Sequence, residues 1–576
     1  MRPSAAGGGG LYMEYRRASI GLTNWGRRVV ALIALMAALP VQAQSTAGAG
    51  VNDPGTAPVI DRERADRVEP RIAPPPALPP TPAPQARIAA PAAAPATRLS
   101  RVLYAGSSLP AAMLDRAVAP LIGRPITRET LQDVAKAISA AYARSDVAFH
   151  AVTIPAQVPA EGRVIVQLVE GRVKDFQLAG LWPDASTRLI EAQMRRVTRE
   201  APLRKSTLER ALGLLRDVPG QTVDARVRQT GGPGELTLDL IVKRKQLRIR
   251  VLIDNSGVSN VVDGVQAQLS VTANGLLREG DSTRISGYLP FYPDRYQYYA
   301  LSHSTPIDRD GLSLSAQAAH VESRQRGGMI EGEATTAGVG LSYALVRSNR
   351  TNLSISASVD GIDSSNYFLD VRFGDYRSRA LRLGGTWSRT EAKSGHALSA
   401  VVSRGIDILG AKPFAGFSEA AFTKVNAQAV VVETLSKRIS IKLSARGQYS
   451  RDRLPVTERF ALGGRGAGMA FQLGARTAEQ AVAGSAELIW SPPTASPLLK
   501  NSAFFLYADG AWAHEVARPA YRLSARNYSL ASAGGGVRLA LGPQWRASAE
   551  VAAPVKRLDN RLGGKPRFFF GLGRAF

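Results

Sequence analysis

Leu353-Ser354-Ile355-Ser356-Ala357-Ser358-Val359 alternates apolar with polar at every step. Successive side chains of a strand point to opposite faces, so this stretch sets its apolar residues on one face and its serines on the other. Val265-Gln266-Ala267-Gln268-Leu269-Ser270-Val271-Thr272-Ala273 repeats the pattern. From Leu247 to Phe576 strand follows strand, each of about ten residues, with no apolar run long enough for a membrane helix. In lipid such apolar faces can meet acyl chains, provided closure leaves no backbone edge unpaired. The fold class is therefore an all-β transmembrane barrel over 246–576. At roughly 20 residues per strand and connection the span suits about sixteen antiparallel strands, with about fourteen or eighteen as alternatives.

The other end of the chain carries the means of export. Arg27 and Arg28 precede the apolar run Val29 to Leu39, and Pro40-Val41-Gln42-Ala43-Gln44 follows. A basic flank, a core of only about eleven apolar residues and a small-residue cleavage site read as a signal peptide over 1–43 rather than a spanning anchor. Met13 is an alternative start. Segment 44–97 is rich in proline, with Pro74-Pro75-Pro76-Ala77-Leu78-Pro79-Pro80 at its heart, and favours an extended linker. Within it, Val59 to Val68 can form a short charged helix that needs a host to be ordered.

Composition removes several functions. There is no cysteine among 576 residues, which excludes disulfides and thiolate metal sites. His150, His303, His320, His396 and His514 are scattered without ligand spacing, so no metal site is expected. No G-x-S-x-G elbow and no P-loop pattern occurs, leaving no catalytic residue, no cofactor and no enzyme to propose. The formal charge of +26 comes mainly from arginine spread over faces and turns rather than gathered in one patch. That distribution fits a charged lumen or loops facing outer-membrane lipid phosphates, or plain codon usage, and not nucleic acid.

Between linker and barrel, 98–171 and 172–245 each follow the order strand, helix, helix, strand, strand. In the first, Val102 to Tyr104 is a strand, Ala111 to Leu121 a helix, and Thr127 caps a second helix with Leu131, Val134, Ala135, Ile138, Ala141 and Tyr142 on one stripe. Strands Phe149 to Ile154 and Val164 to Val169 follow. In the second, Val173 to Leu178 is a strand, Ala185 to Arg196 a helix, and Ser206 with Glu209 reads as a capping box, before strands Val223 to Val227 and Leu236 to Val242. Each is a small α+β module with two helices on one face of a sheet.

Four short stretches then carry a resemblance. Leu121-Ile122-Gly123-Arg124-Pro125-Ile126-Thr127 and Val169-Glu170-Gly171-Arg172-Val173 are similar to "G-R-P-L-T" and "V-E-G-R" turns. Leu208 to Leu215 with Asp217-Val218-Pro219-Gly220 resembles "L-L-N-D-L-P-G", and Asp254-Asn255-Ser256-Gly257 looks like a first barrel strand. In order and at these separations they resemble the haemolysin secretion/activation (ShlB/FhaC/HecB) family of two-partner secretion. The resemblance implies two periplasmic POTRA domains, an outer-membrane pore, and a large secreted β-helical exoprotein, unfolded in transit, as partner. It also implies that Val59 to Val68 acts as a removable plug.

The wider BamA-like superfamily folds a loop with an arginine beside glycine into the lumen, where it meets an acidic residue of the wall. Glu458 to Phe471 resembles that loop. Arg465-Gly466 matches the "V-R-G-Y" form, while a second alignment, to "G-R-A-Y", puts Met469 at the arginine position. Tyr507-Ala508-Asp509-Gly510 resembles the wall motif, which makes Arg465 with Asp509 the favoured pair. The C-terminal strand, with Phe568, Phe570, Leu572 and Phe576 on one face, resembles the signal read by the barrel assembly machinery. Candidate capture residues are Phe149, Val152 and Ile154 of the first module's strand and Leu131, Val134 and Ile138 of its helix, which equally suit a module core. The alternative function is an assembly factor that inserts other barrels through its lateral seam.

Overall fold

The computed structural model describes Pro70, Ile72 and residues 97–576 except 182–184, 258–260, 262–263, 292–293, 326, 497–498 and 559–564. The signal peptide and the plug candidate Val59–Val68 lie outside the described residues.

The first module runs β1 (Arg101–Ala105), α1 (Ala111–Val118), α2 (Arg128–Arg144), β2 (His150–Thr153) and β3 (Arg163–Glu170), with sheet order β1-β3-β2. Helix α1 stops short of Leu121: Pro120 has no N–H to continue it, and Ala119–Leu121 close as a 3-10 turn. Helix α2 begins where expected, because Thr127 Oγ1 accepts the Thr130 N–H at 3.2 Å. Its stripe from Leu131 to Tyr142 is buried against Val102, Val164, Val166 and Leu168. Burial of each large aliphatic side chain there stabilises the module by about 1.5–3 kcal/mol.

The second module runs β4 (Arg172–Ala179), α3 (Arg188–Arg199), α4 (Lys205–Asp217), β5 (Gln221–Gln229) and β6 (Glu235–Arg244), in sheet order β4-β6-β5. The capping box expected at its second helix does not form. Ser206 instead donates through its N–H and its hydroxyl to Asp146 of the first module, at 2.8 and 2.6 Å. A carboxylate suits a helix N-terminus better than a neutral hydroxyl does, and it frees Glu209 to accept the Asn349 N–H of the barrel at 3.2 Å. Phe149 joins the modules further, since it is buried in the core of the second one. Gly171 permits this approach: a Cβ there would lie 2.7 Å from that of Phe149.

The remaining strands are β7 (Leu247–Asp254), β8 (Gln266–Asn274), β9 (Ser282–Pro290), β10 (Tyr296–Pro306), β11 (Leu312–Arg324), β12 (Ile330–Arg347), β13 (Thr351–Phe368), β14 (Val371–Thr390), β15 (Ser394–Gly405), β16 (Thr423–Thr434), β17 (Ile439–Tyr449), β18 (Phe460–Leu462), β19 (Arg476–Ala478), β20 (Gln480–Trp490), β21 (Ala503–Glu515), β22 (Arg526–Leu541), β23 (Trp545–Lys556) and β24 (Arg567–Ala575). Sixteen of them close an antiparallel barrel, with β24 returning to β7, while β18 and β19 form a separate ribbon. The barrel is inverted relative to the modules. Leu383, Leu506 and Ile285 are more than half exposed on the outer face, whereas Arg382, Lys424, Asp509 and Glu550 are buried inside.

The closing junction is the shortest register of the described wall, pairing only Gly571–Ala575 with Arg250–Asp254. Asn255 extends it with its side chain, accepting the Phe570 N–H and donating to the Phe568 carbonyl, both at 2.9 Å. Arg574 falls on the outward face with Phe568, Leu572 and Phe576, and its guanidinium lies 5.0 Å from the Trp545 ring and 4.2 Å from the Phe576 ring.

The second module meets one rim of the barrel through charges. Arg244 pairs with Glu279 at 2.7 Å, Arg196 with Asp310 at 2.6 Å, and Arg347 with both carboxylate oxygens of Asp217 at 2.6 Å. Arg210 donates to the Asp310 and Ala344 carbonyls at 2.7 and 2.9 Å. Burial works to raise the Asp310 pKa, but Arg196 and Arg210 together outweigh it and hold the carboxyl below its ordinary value.

Candidate functional site: a loop held inside the lumen

The connection between β17 and β20 folds back through the barrel instead of leaving it. Glu458, with no exposed side-chain surface, fastens one end. It accepts from Arg382 of β14 at 2.8 Å and from Lys424 of β16 at 2.6 Å, and Arg382 in turn reaches Asp360 of β13 at 2.5 Å. Two carboxylates thus face two cations, which is how charges survive removal from water. Glu479 on the returning arm accepts from Arg459 of the outgoing arm at 2.9 Å, which ties the two arms together.

The tip rests on the wall formed by β21 to β23. Asp509 accepts the Gly468 and Met469 N–H groups at 3.0 and 2.9 Å, and the Ser532 hydroxyl also donates to it. Gly468 has φ +105, and a Cβ there would meet Leu530 at 2.2 Å, so only glycine lets consecutive amides converge on this carboxylate. Arg465 does not pair with Asp509. Its side chain, 63% exposed, reaches Glu550 of β23 at 2.7 Å. The expected pair fails because the left-handed glycines 463, 464, 466 and 468 turn the chain between Arg465 and the residues that face Asp509. Met469 occupies the place beside Asp509 with its backbone, while its side chain joins Phe460, Phe471 and Leu530 in an apolar cluster. Gly510 lies in β21, next to Asp509.

Glu458, Arg382, Lys424, Asp360 and Glu550 were missed from the sequence. Arg382 stands between Leu381 and Leu383, so its inward direction was legible from alternation. Its partners depend on strand register and on the path of the loop, which alternation does not encode.

The candidate capture residues are gathered in cores. Leu131, Val134, Ile138, Val152 and Ile154 are at most 2% exposed in the first module, and Phe149 belongs to the core of the second. What the first module presents is backbone: β2 is an outer strand, hydrogen-bonded to β3 along one side. The register would bring Pro155 opposite Ile165 without an N–H to offer. The Gln157 side-chain amide takes that place, accepting from the Ile165 N–H at 2.7 Å and donating to its carbonyl at 2.8 Å. At the start of β2 the His150 ring stacks on Tyr142 at 4.8 Å. Burial holds its pKa below the ordinary value, against an upward pull from Glu170.

An apolar-outside barrel whose polar lumen holds an anchored loop, with two sheet-and-helix modules at one rim, defines an outer-membrane transporter with periplasmic modules. The sequence profile of the haemolysin secretion/activation protein ShlB/FhaC/HecB matches residues 235–539, and that of the ShlB-type POTRA domain matches 98–171. The chain belongs to the haemolysin secretion/activation (ShlB/FhaC/HecB) family. It is an outer-membrane transporter of two-partner secretion with its POTRA domain in the periplasm, and the family implies a secreted exoprotein as partner. Among solved structures the chain is similar to CdiB from Escherichia coli, with 20% identity, TM-score 0.67 and coverage of 88% of this chain and 94% of that one. It is also similar to CdiB from Acinetobacter baumannii, with 14% identity, TM-score 0.59 and coverage of 88% and 95%. No curated protein matches the sequence.

Proposed function

We propose that this transporter captures its exoprotein unfolded in the periplasm, on the outer edge of β2, and passes it outward once the lumen loop leaves its place. The observation that carries this reading is the manner of the loop's attachment. Its ends are held by ion pairs and its tip by amides on one carboxylate, contacts that can exchange with water or with a passing polar backbone. A strand edge recognises any extended chain through its peptide groups, as capture of an unfolded protein requires. The N-terminal segment serves as a plug, supported by Ile72, whose side chain packs against Gly395 at the start of β15. Folding of the exoprotein outside supplies direction, with no enzyme chemistry. The C-terminal strand ending at Phe576 is the signal for barrel assembly, and lipid covers the outer face.

The assembly-factor reading would place activity at the β24–β7 seam, whose short register favours it. Deleting the gene and following both culture medium and outer membrane separates the two. Loss of one large protein from the medium, with the outer membrane unchanged, supports export; an unchanged medium with depleted outer-membrane proteins overturns it in favour of assembly.

A further inference from the structure

At the barrel end away from the modules, three connections meet: 406–422 between β15 and β16, the returning arm of the lumen loop, and 516–525 between β21 and β22. The first and last are separated along the wall by β17 and β20, the two strands that the lumen loop joins, so their contact passes over the root of that loop. Arg518, 1% exposed, joins all three. It donates to the Phe417 carbonyl at 3.1 Å, to the Val516 carbonyl at 2.8 Å and to Glu479 at 2.5 Å, and its guanidinium lies 4.4 Å from the Phe417 ring. Arg459 lies 5.0 Å from the same ring and reaches Glu479 at 2.9 Å and Glu515 at 3.4 Å. Further out, Phe414, Phe417 and Tyr521 contact one another with ring centroids 5.6 to 6.0 Å apart, and the Tyr521 hydroxyl donates to the Ala415 carbonyl at 2.9 Å.

We propose that this cluster is an extracellular gate, in which Arg518 and Phe417 fasten the outer connections over the root of the lumen loop and release them when the loop withdraws Glu479. The coupling follows from charge. With Glu479 in place, two guanidiniums face two carboxylates out of water. When the loop's arms withdraw, carrying Arg459 and Glu479 with them, Arg518 loses its partner at 2.5 Å and keeps only Glu515 at 3.5 Å, so the buried guanidinium is left under-compensated. Movement of the loop and opening of the mouth then become one event. The wall needs none of these contacts, because its strands are already paired through β15–β16 and β21–β22.

The inference rests on the reading of the barrel as a pore, and ion conductance of the protein in planar bilayers tests both. Three variants are compared, all of them and the native reference with 59–68 deleted so that the proposed plug does not mask the pore: Arg518→Met, Phe414→Ala with Tyr521→Ala, and a chain with 454–479 replaced by a short Gly-Ser linker. Heat-modifiable migration in gels establishes that each barrel is folded. The gate account expects the linker variant to conduct steadily and Arg518→Met to open at least tenfold more often than the native chain. The double alanine variant, which leaves the charge cluster intact, is expected to open more often to a smaller extent and serves if Arg518→Met does not fold. A conducting linker variant beside gate variants as quiet as the native chain overturns the gate. A silent linker variant overturns the pore reading, and the gate with it.

Discussion

Arginine–carboxylate pairs fasten both ends of this barrel, in two different ways. At the modules' rim Arg196 and Asp310 are 44% and 41% exposed, and Asp217 facing Arg347 is 45% exposed. At the mouth Arg518, Arg459 and Glu479 are at most 2% exposed. Exposed pairs contribute about 0–1 kcal/mol and are screened by salt, whereas removing one partner of a buried pair costs about 3–5 kcal/mol. The modules are therefore held by contacts that salt can loosen, and the lumen by contacts out of reach of salt, which exchange partners only as the loop moves. Arg244 with Glu279, 14% and 7% exposed, is the exception at the rim and fixes the point where the second module feeds the first barrel strand.

The largest expected effect is at the mouth. Glu479→Ala leaves Arg459 and Arg518 with Glu515 alone and is expected to lower barrel stability by about 3–5 kcal/mol, seen as a lower temperature of conversion in heat-modifiable gels. A conversion temperature equal to that of the native chain would show that the cluster is not electrostatically coupled. Next comes Glu458→Gln, which removes the carboxylate facing Arg382 and Lys424 but spares Asp360. Thiol labelling of Arg465→Cys, in a chain without other cysteines, is expected to be several-fold faster in that background. Equal labelling rates would mean that the tip holds the loop alone.

Arg347→Ala is expected to weaken docking of the second module by about 1 kcal/mol, read as faster hydrogen exchange at Ser348–Thr351. Raising salt on the native chain should reproduce this change and leave 516–525 unaffected. Salt acting equally at both ends would show that the two sets of pairs do not differ in burial.

The smallest effect is a pH dependence in the first module. His150 has a folded-state pKa below its ordinary 6.5, so as pH falls below that value the unfolded chain binds the proton first and stability declines. The decline is expected to continue until the folded-state pKa is reached, as Glu170 and the stacked Tyr142 ring adjust to an imidazolium. Hydrogen exchange of α2, corrected for intrinsic rates, should rise between pH 7.5 and 5.5 (about one unit either side of that ordinary value) in the native chain and not in His150→Phe. An equal rise in both would assign the effect to another group.

What the sequence disclosed divides along the same physical line. Alternation revealed the barrel, its start at Leu247 and the outward face of Phe568, Leu572 and Phe576, because lipid imposes a period of two on every strand. Helical periodicity revealed the stripe of α2, and a local hydroxyl revealed its cap at Thr127. Contacts between distant segments were not legible. Ser206 looked like its own helix's cap, but Asp146 of the neighbouring module supplies the better acceptor. Arg465 and Asp509 looked like partners because both sit in recognisable motifs, yet the glycines around Arg465 decide which atoms reach the wall.

On the proposed mechanism the lumen loop must leave its place for export. Arg465→Cys with Glu550→Cys, bridged by a reducible bifunctional thiol reagent long enough for the two side chains it replaces, holds the tip on the wall. Export of the partner exoprotein into the medium is then measured before and after reduction. The account expects export to stop in the bridged protein and resume on reduction; undiminished export with the bridge intact would contradict it.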